Sequence, residues 1–78
     1  MHDRGYDQIG ELLPQNIILT AAEVAQALRV SVEAVRRWAD QWLDSGGQEG
    51  LRGFKVGKQW RFYRKAVLEF LINQRQID

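Results

Sequence analysis

Two helix-start signals stand close together near the front of the chain, and they confine the residues between them to one short helix and a tight turn. The first, Thr20-Ala-Ala-Glu23, has the form of a capping box. In such a box the Thr hydroxyl accepts the amide of residue 23, and the Glu carboxylate accepts the amide of Thr20. The helix it opens carries Val24, Ala25 and Leu28 on one stripe and stops near Arg29-Val30, because Ser31 is a second N-cap. Behind Ser31, Val35, Trp38, Ala39, Trp42 and Leu43 follow i, i+3, i+4, i+7, i+8, the spacing of a single buried stripe. The opposite stripe, Glu33, Arg36, Arg37, Asp40, Gln41 and Asp44, has no apolar member. Gly46-Gly47 ends this helix, and the polar, Gly-rich stretch from Asp44 to Gly53 reads as a flexible connection.

Around this pair the patterns are shorter. Residues 1–16 mix charge, Gly5 and Pro14 without periodicity and read as a flexible leader. Ile17-Ile18-Leu19 reads as a small strand that must join a sheet. Phe54-Lys-Val56 and Trp60-Arg-Phe62 alternate apolar with basic around Gly57-Lys58-Gln59, the pattern of a β-hairpin. If all four apolar residues share one face, Val56 opposes Trp60, the loop has three residues, or two plus a bulge, and Lys55, Arg61 and Tyr63 project to the wet side. Arg64 to Arg75 reads as a last helix whose apolar residues, Val67, Leu68, Phe70, Leu71 and Ile72, cover roughly 200° of its circumference. That arc is wider than one small core needs. Arg64 and Lys65 in its first turn lie where the helix dipole disfavours cations, and no Ser, Thr, Asp or Asn caps it.

Composition narrows the function. With 78 residues there is one domain, and with no cysteine there is neither a disulfide framework nor a thiolate metal site. No apolar run is long enough to span a membrane and no signal-peptide pattern opens the chain, so a reducing, cytoplasmic setting is expected. The only histidine is His2, and no nucleophile, acid and base are spaced to cooperate. No enzyme, metal or cofactor is therefore expected. The net charge of +1 conceals an asymmetry. Arg52, Lys55, Lys58, Arg61, Arg64 and Lys65 fall together with no acidic residue among them, while the rest of the chain has five Lys and Arg against ten Asp and Glu. A basic segment of that kind points to a polyanionic partner.

Two helices joined by the turn Arg29-Val30-Ser31, the second with a clean polar face, form a helix-turn-helix, and a basic hairpin and closing helix follow. The expected fold is mainly α with a small β-hairpin, a winged helix-turn-helix, over residues 17–76. At this point the chain resembles the winged helix-turn-helix domains of phage and transposon excisionases and of mercury-resistance-type regulators. The matching stretches are Leu19-Thr-Ala-Ala-Glu-Val-Ala-Gln-Ala-Leu-Arg-Val-Ser31, Ala34-Val-Arg-Arg-Trp38, Phe54-Lys-Val-Gly-Lys-Gln-Trp-Arg-Phe62 and Lys65-Ala-Val-Leu-Glu-Phe-Leu71. Two departures stand out: Arg29 occupies the turn position usually filled by glycine, and the link from Trp42 to Phe54 is longer and richer in glycine than the family's short connection.

The resemblance implies that the second helix enters the major groove of double-stranded DNA and that the hairpin, as a wing, follows the backbone or the minor groove. Carried onto this chain, the groove candidates are Ser31, Glu33, Arg36 and Arg37, and the wing candidates are Lys55, Lys58, Gln59 and Arg61. Arg64 and Lys65 are further phosphate-contact candidates, and Asp40 and Asp44 should repel DNA. The plain structural alternative pairs Arg36 with Asp40 at i+4. Trp38, Trp42 and Trp60 are expected in the core. An excisionase-like recombination accessory or a small transcriptional regulator is implied, with a recombinase or a second copy of the chain as further partners. No small-molecule effector is expected, since no coiled coil or effector domain follows the wing. The competing reading is a protein–protein interaction module whose basic hairpin and apolar last helix bind an acidic partner.

Overall fold

The computed structural model describes residues 13–75, with side chains through residue 73. The elements run β1 (Ile18–Thr20), α1 (Ala21–Leu28), α2 (Val32–Asp44), β2 (Phe54–Val56), β3 (Gln59–Tyr63) and α3 (Arg64–Arg75). Three helices and one small antiparallel sheet thus make a mainly α fold in which a helix-turn-helix is followed by a hairpin and a closing helix. Residues 1–12, most of the expected leader, lie outside the described residues. Within its described end, Leu13 is buried in the core and the Pro14 carbonyl accepts a hydrogen bond from Arg64 Nε at 3.0 Å.

The local signals produce the first two helices as expected. Both halves of the capping box form, with Glu23 N–H donating to Thr20 Oγ1 at 3.0 Å and Thr20 N–H to Glu23 Oε1 at 2.8 Å. Ser31 Oγ accepts the Ala34 amide at 3.1 Å and starts α2. Between them Arg29 adopts φ 59°, the left-handed conformation that its place in the turn demands. Val30 N–H reaches the Ala25 carbonyl and Arg29 N–H the Gln26 carbonyl, the pair of bonds of a Schellman motif. The sharp reversal is therefore fully hydrogen-bonded, although a side chain stands where glycine is cheapest.

The sheet has the order β1-β3-β2, antiparallel throughout. β1 lies beside β3, with Leu19 opposite Phe62, so the strand before the helix-turn-helix is hydrogen-bonded to the strand after it. Arg64 N–H continues that ladder to the Ile17 carbonyl at 2.8 Å, which satisfies the start of α3 in place of the missing cap. The core seals Leu19, Val24, Val35, Leu51, Phe62 and Val67, with Trp60 and Leu13 close behind.

Four expectations are corrected. The hairpin turn has two residues, Gly57-Lys58, with Val56 opposite Gln59 and Lys55 opposite Trp60. Gly57 at φ 65° supplies the positive φ that lets a two-residue turn match the strand twist, and this local preference outweighs the parity of the apolar residues. Phe54 and Val56 are consequently turned to the outer face with Arg61 and Tyr63, where Val56 is exposed and Phe54 leans on Tyr63 with ring centroids 5.1 Å apart. Lys55 turns to the inner face instead, its Nζ 5.3 Å from the centre of the Trp60 ring.

The stripe of α2 is also only partly core. Val35 and Ala39 are buried, Trp38 and Trp42 are half-buried, and Leu43 is exposed. At 100° per residue Leu43 lies about 80° around the helix from Val35, on the margin of the stripe. The 45–53 connection is anchored rather than flexible. Leu51 is wholly buried and its N–H donates to the Trp38 carbonyl, while Ser45 Oγ accepts the amides of Gln48 and Glu49. Finally, the apolar arc of α3 is largely covered within the chain, because the helix meets β3 on one side and α2 on the other, through Phe70 against Trp38 at 5.1 Å.

Arg29→Gly should raise the unfolding free energy by about 1 kcal/mol in urea denaturation, since glycine takes the left-handed conformation without a Cβ clash. Gly50→Ala should cost at least ~2 kcal/mol, because a Cβ there would collide with the Trp38 carbonyl and approach Trp42 N to 2.6 Å. An unchanged midpoint for Gly50→Ala would show that the connection does not press against α2.

Candidate nucleic-acid interface

The polar face of α2 is open to solvent over Glu33, Arg36, Arg37, Asp40, Gln41 and Asp44. One edge of that face forms the wall of a groove of about 580 Å³. Arg36, Asp40 and Val32 come from α2, the cap Thr20 with Ala21 and Ala22 from the start of α1, and Lys55, Lys58, Gln59, Trp60 and Arg61 from the hairpin. The β1–β3 pairing sets this arrangement, because it puts Thr20 opposite Arg61 and so brings the hairpin to the start of the helix-turn-helix. The two-residue turn adds to it by swinging Lys55 to the inner face, toward Arg36.

Five of the residues expected from sequence, Arg36, Lys55, Lys58, Gln59 and Arg61, therefore line one concavity. Ser31, Glu33 and Arg37 do not line it. The hydroxyl of Ser31 is engaged in its cap, Glu33 sits exposed in the first turn of α2, and Arg37 is turned toward a shallow hollow shared with Asp44 and Ser45. Arg64 and Lys65 lie apart from the groove, in a cavity with Arg52, Ile17 and Tyr63. The groove also contains residues that sequence reasoning left out, the Thr20–Ala22 start of α1 and Val32; their only signal was the capping box, which marks a helix start and not what faces it.

Charge inside the groove is unbalanced. Among the described residues the side chains of Arg36, Lys58 and Asp40 make no hydrogen bond or ion pair, and Lys55 touches only the Trp60 ring. The i+4 pair between Arg36 and Asp40 is thus not formed. Arg61 is held in place by bonds to the Trp60 carbonyl at 2.9 Å and to Gln59 Oε1 at 3.1 Å, which leave the guanidinium charge uncompensated. Four cations and one carboxylate share a narrow space, a distribution that attracts a polyanion. Among the described residues no cluster of His, Asp or Glu could hold a metal ion, and no helix is long and apolar enough to cross a membrane.

Residues 18–75 match a family model described as a helix-turn-helix domain, which covers most of the chain. The chain belongs to that helix-turn-helix domain family. Comparison with curated proteins and with solved structures finds no match.

Because Arg36 and Lys58 have no partner among the described residues, Arg36→Gln and Lys58→Gln should each change the unfolding free energy by less than ~0.5 kcal/mol. A substantial loss in thermal or urea denaturation would mean that these cations serve the fold.

Proposed function

We propose that the chain binds double-stranded DNA, without catalysis, by laying α2 in the major groove and its basic hairpin along the backbone as a wing. The observation that carries this reading is the meeting of Arg36 with Lys55, Lys58 and Arg61, drawn from two distant stretches of sequence, beside an exposed helix. A major groove about 12 Å wide admits such a helix. Membership in a helix-turn-helix family supports a DNA partner. Arg36 offers a fork for guanine O6 and N7, and Arg37 and Glu33 on the same exposed face extend the set of base-reading side chains. Lys55, Lys58 and Arg61 supply backbone charge, and Ser31 with the free amides at the start of α2 suits a phosphate.

Within this reading the protein acts in the cytoplasm as an excisionase-like accessory in recombination or as a small transcriptional regulator. Both roles use the same contacts. An adjacent recombinase or a second copy of the chain on the same duplex is the expected company.

Binding to duplex DNA should weaken steeply with salt, with a log–log slope near −3 to −4 for about four neutralised phosphates. A flat response would remove the backbone contacts from the mechanism. In a selection from random duplexes followed by titration, Lys58→Ala and Arg61→Ala should weaken all sequences alike, whereas Arg36→Ala should cost ~1–3 kcal/mol at one base pair and relax its specificity. Asp40→Asn should tighten binding to any duplex by about 3- to 10-fold, because it removes the one anion from the groove. Weaker binding of Asp40→Asn would mean that the carboxylate accepts a hydrogen bond from a base.

A further inference from the structure

A second surface, separate from the groove, has a different chemistry. Two cavities of about 550 and 430 Å³ share Arg52 and Tyr63, and neither has a lining residue in common with the groove between α2 and the hairpin. Ile17, Leu68 and Lys65 line the first together with Gln15 and Arg64, and Phe54, Trp42 and Gly53 line the second. The floor is apolar and open: Ile17 is 76% exposed, Tyr63 is 46% exposed, and the Phe54 ring leans on Tyr63. The rim is cationic. Among the described residues Lys65 is exposed without a side-chain partner, and Arg52 makes only a loose 3.8 Å pair with the half-exposed Glu69; Arg64, bonded to the Pro14 carbonyl, adds its charge. No acidic residue among those described lines either cavity.

We infer that this surface docks an extended acidic segment of another protein, whose apolar side chains cover Ile17 and Tyr63 while its carboxylates meet Arg52 and Lys65. The two halves of the surface select that chemistry together. Exposed apolar side chains gathered inside a cationic rim offer a small contact surface, and the rim sets the sign of the partner. A DNA backbone would satisfy the rim and leave Ile17 and Tyr63 facing charged phosphates. A neutral apolar segment would satisfy the floor and leave Arg52 and Lys65 to be desolvated without compensation. Since the groove and this surface have no lining residue in common, the chain holds a duplex and a protein at the same time and acts as an adaptor between them.

The probe is a fluorescein-labelled twelve-residue peptide of alternating Glu and Leu, titrated against the full chain by fluorescence anisotropy and by amide chemical shifts. Saturable binding is expected, with shifts centred on Ile17, Arg52, Tyr63 and Lys65 and not on Lys58 or Arg36. Lys65→Glu and Ile17→Ser should each weaken the peptide about tenfold, ~1.4 kcal/mol, with an unchanged urea midpoint, and the uncharged change Ile17→Ser should leave affinity for a random-sequence duplex unchanged. The corresponding Gln–Leu peptide should bind at least about tenfold more weakly. The inference is overturned if the Glu–Leu peptide does not saturate, if the Gln–Leu peptide binds equally, or if the shifts fall on the hairpin. It is overturned equally if Lys65→Glu weakens the duplex and spares the peptide, which would make the surface a phosphate contact, or if Ile17→Ser only abolishes self-association in sedimentation. The peptide readout does not depend on DNA binding, so failure here and failure of the DNA reading are separate results.

Discussion

The pairing of a three-residue strand with the far side of the hairpin organises this domain. β1 is too short to persist alone, yet through Leu19 opposite Phe62, Thr20 opposite Arg61 and the Ile17 carbonyl bonded to Arg64 it ties the entrance of the helix-turn-helix to its exit. Hydrogen bonds of this kind contribute only about 1 kcal/mol each. Their effect lies in geometry: they bring two chain stretches some forty residues apart into register, and the buried Leu19 and Phe62 allow that register no slippage, since a one-residue shift would turn both side chains out of the core.

The connection between α2 and the hairpin complements this tie. A long glycine-rich link would ordinarily leave the hairpin free to swing. Here Leu51 enters the core, its amide bonds to the Trp38 carbonyl, and Gly50 and Gly53 let the backbone pass against α2 and the Phe62 ring, where a Cβ has no room. The link therefore clamps the hairpin on α2 from the side opposite β1. With both ends held, the cations of the hairpin and of α2 stay aligned without any salt bridge between the elements that bear them.

That freedom from internal pairing leaves the cations available to a partner. Among the described residues the side chains of Arg36 and Lys58 make no bond, Asp40 stands among them uncompensated, and Lys55 rests only on an aromatic ring. A fold that used these charges for its own stability would pair them. Charge and exposed apolar surface are also divided in space. The groove is edged by Arg36, Lys55, Lys58 and Arg61, while Ile17, Tyr63 and Phe54 gather elsewhere beside a second set of cations. One basic segment of sequence, Arg52 to Lys65, thus feeds two surfaces: Lys55, Lys58 and Arg61 of the hairpin line the groove, while Arg52 before it and Arg64 and Lys65 at the start of α3 line the other.

The bounds of α1 and α2 and both N-caps were legible in the letters because each depends on residues within a turn or two of one another. A Thr and a Glu three apart, or a Ser before an apolar stripe, carry their instruction locally. The hairpin register was not legible, because the parity of Phe54, Val56, Trp60 and Phe62 and the turn preference of Gly57-Lys58 give opposite answers, and only the packed sheet shows which prevails. The sealing of Leu51, the half-exposure of Trp38 and Trp42, and the outward turn of Leu43 likewise depend on what arrives from elsewhere in the chain. The same distinction governs the site. Its residue types were evident in the sequence, but the separation of Arg64 and Lys65 from Lys58 and Arg61, and the entry of Lys55 and Asp40 into the groove, were decided by tertiary structure, since charge in a sequence has a sign and a position but no direction until a core forms to point it.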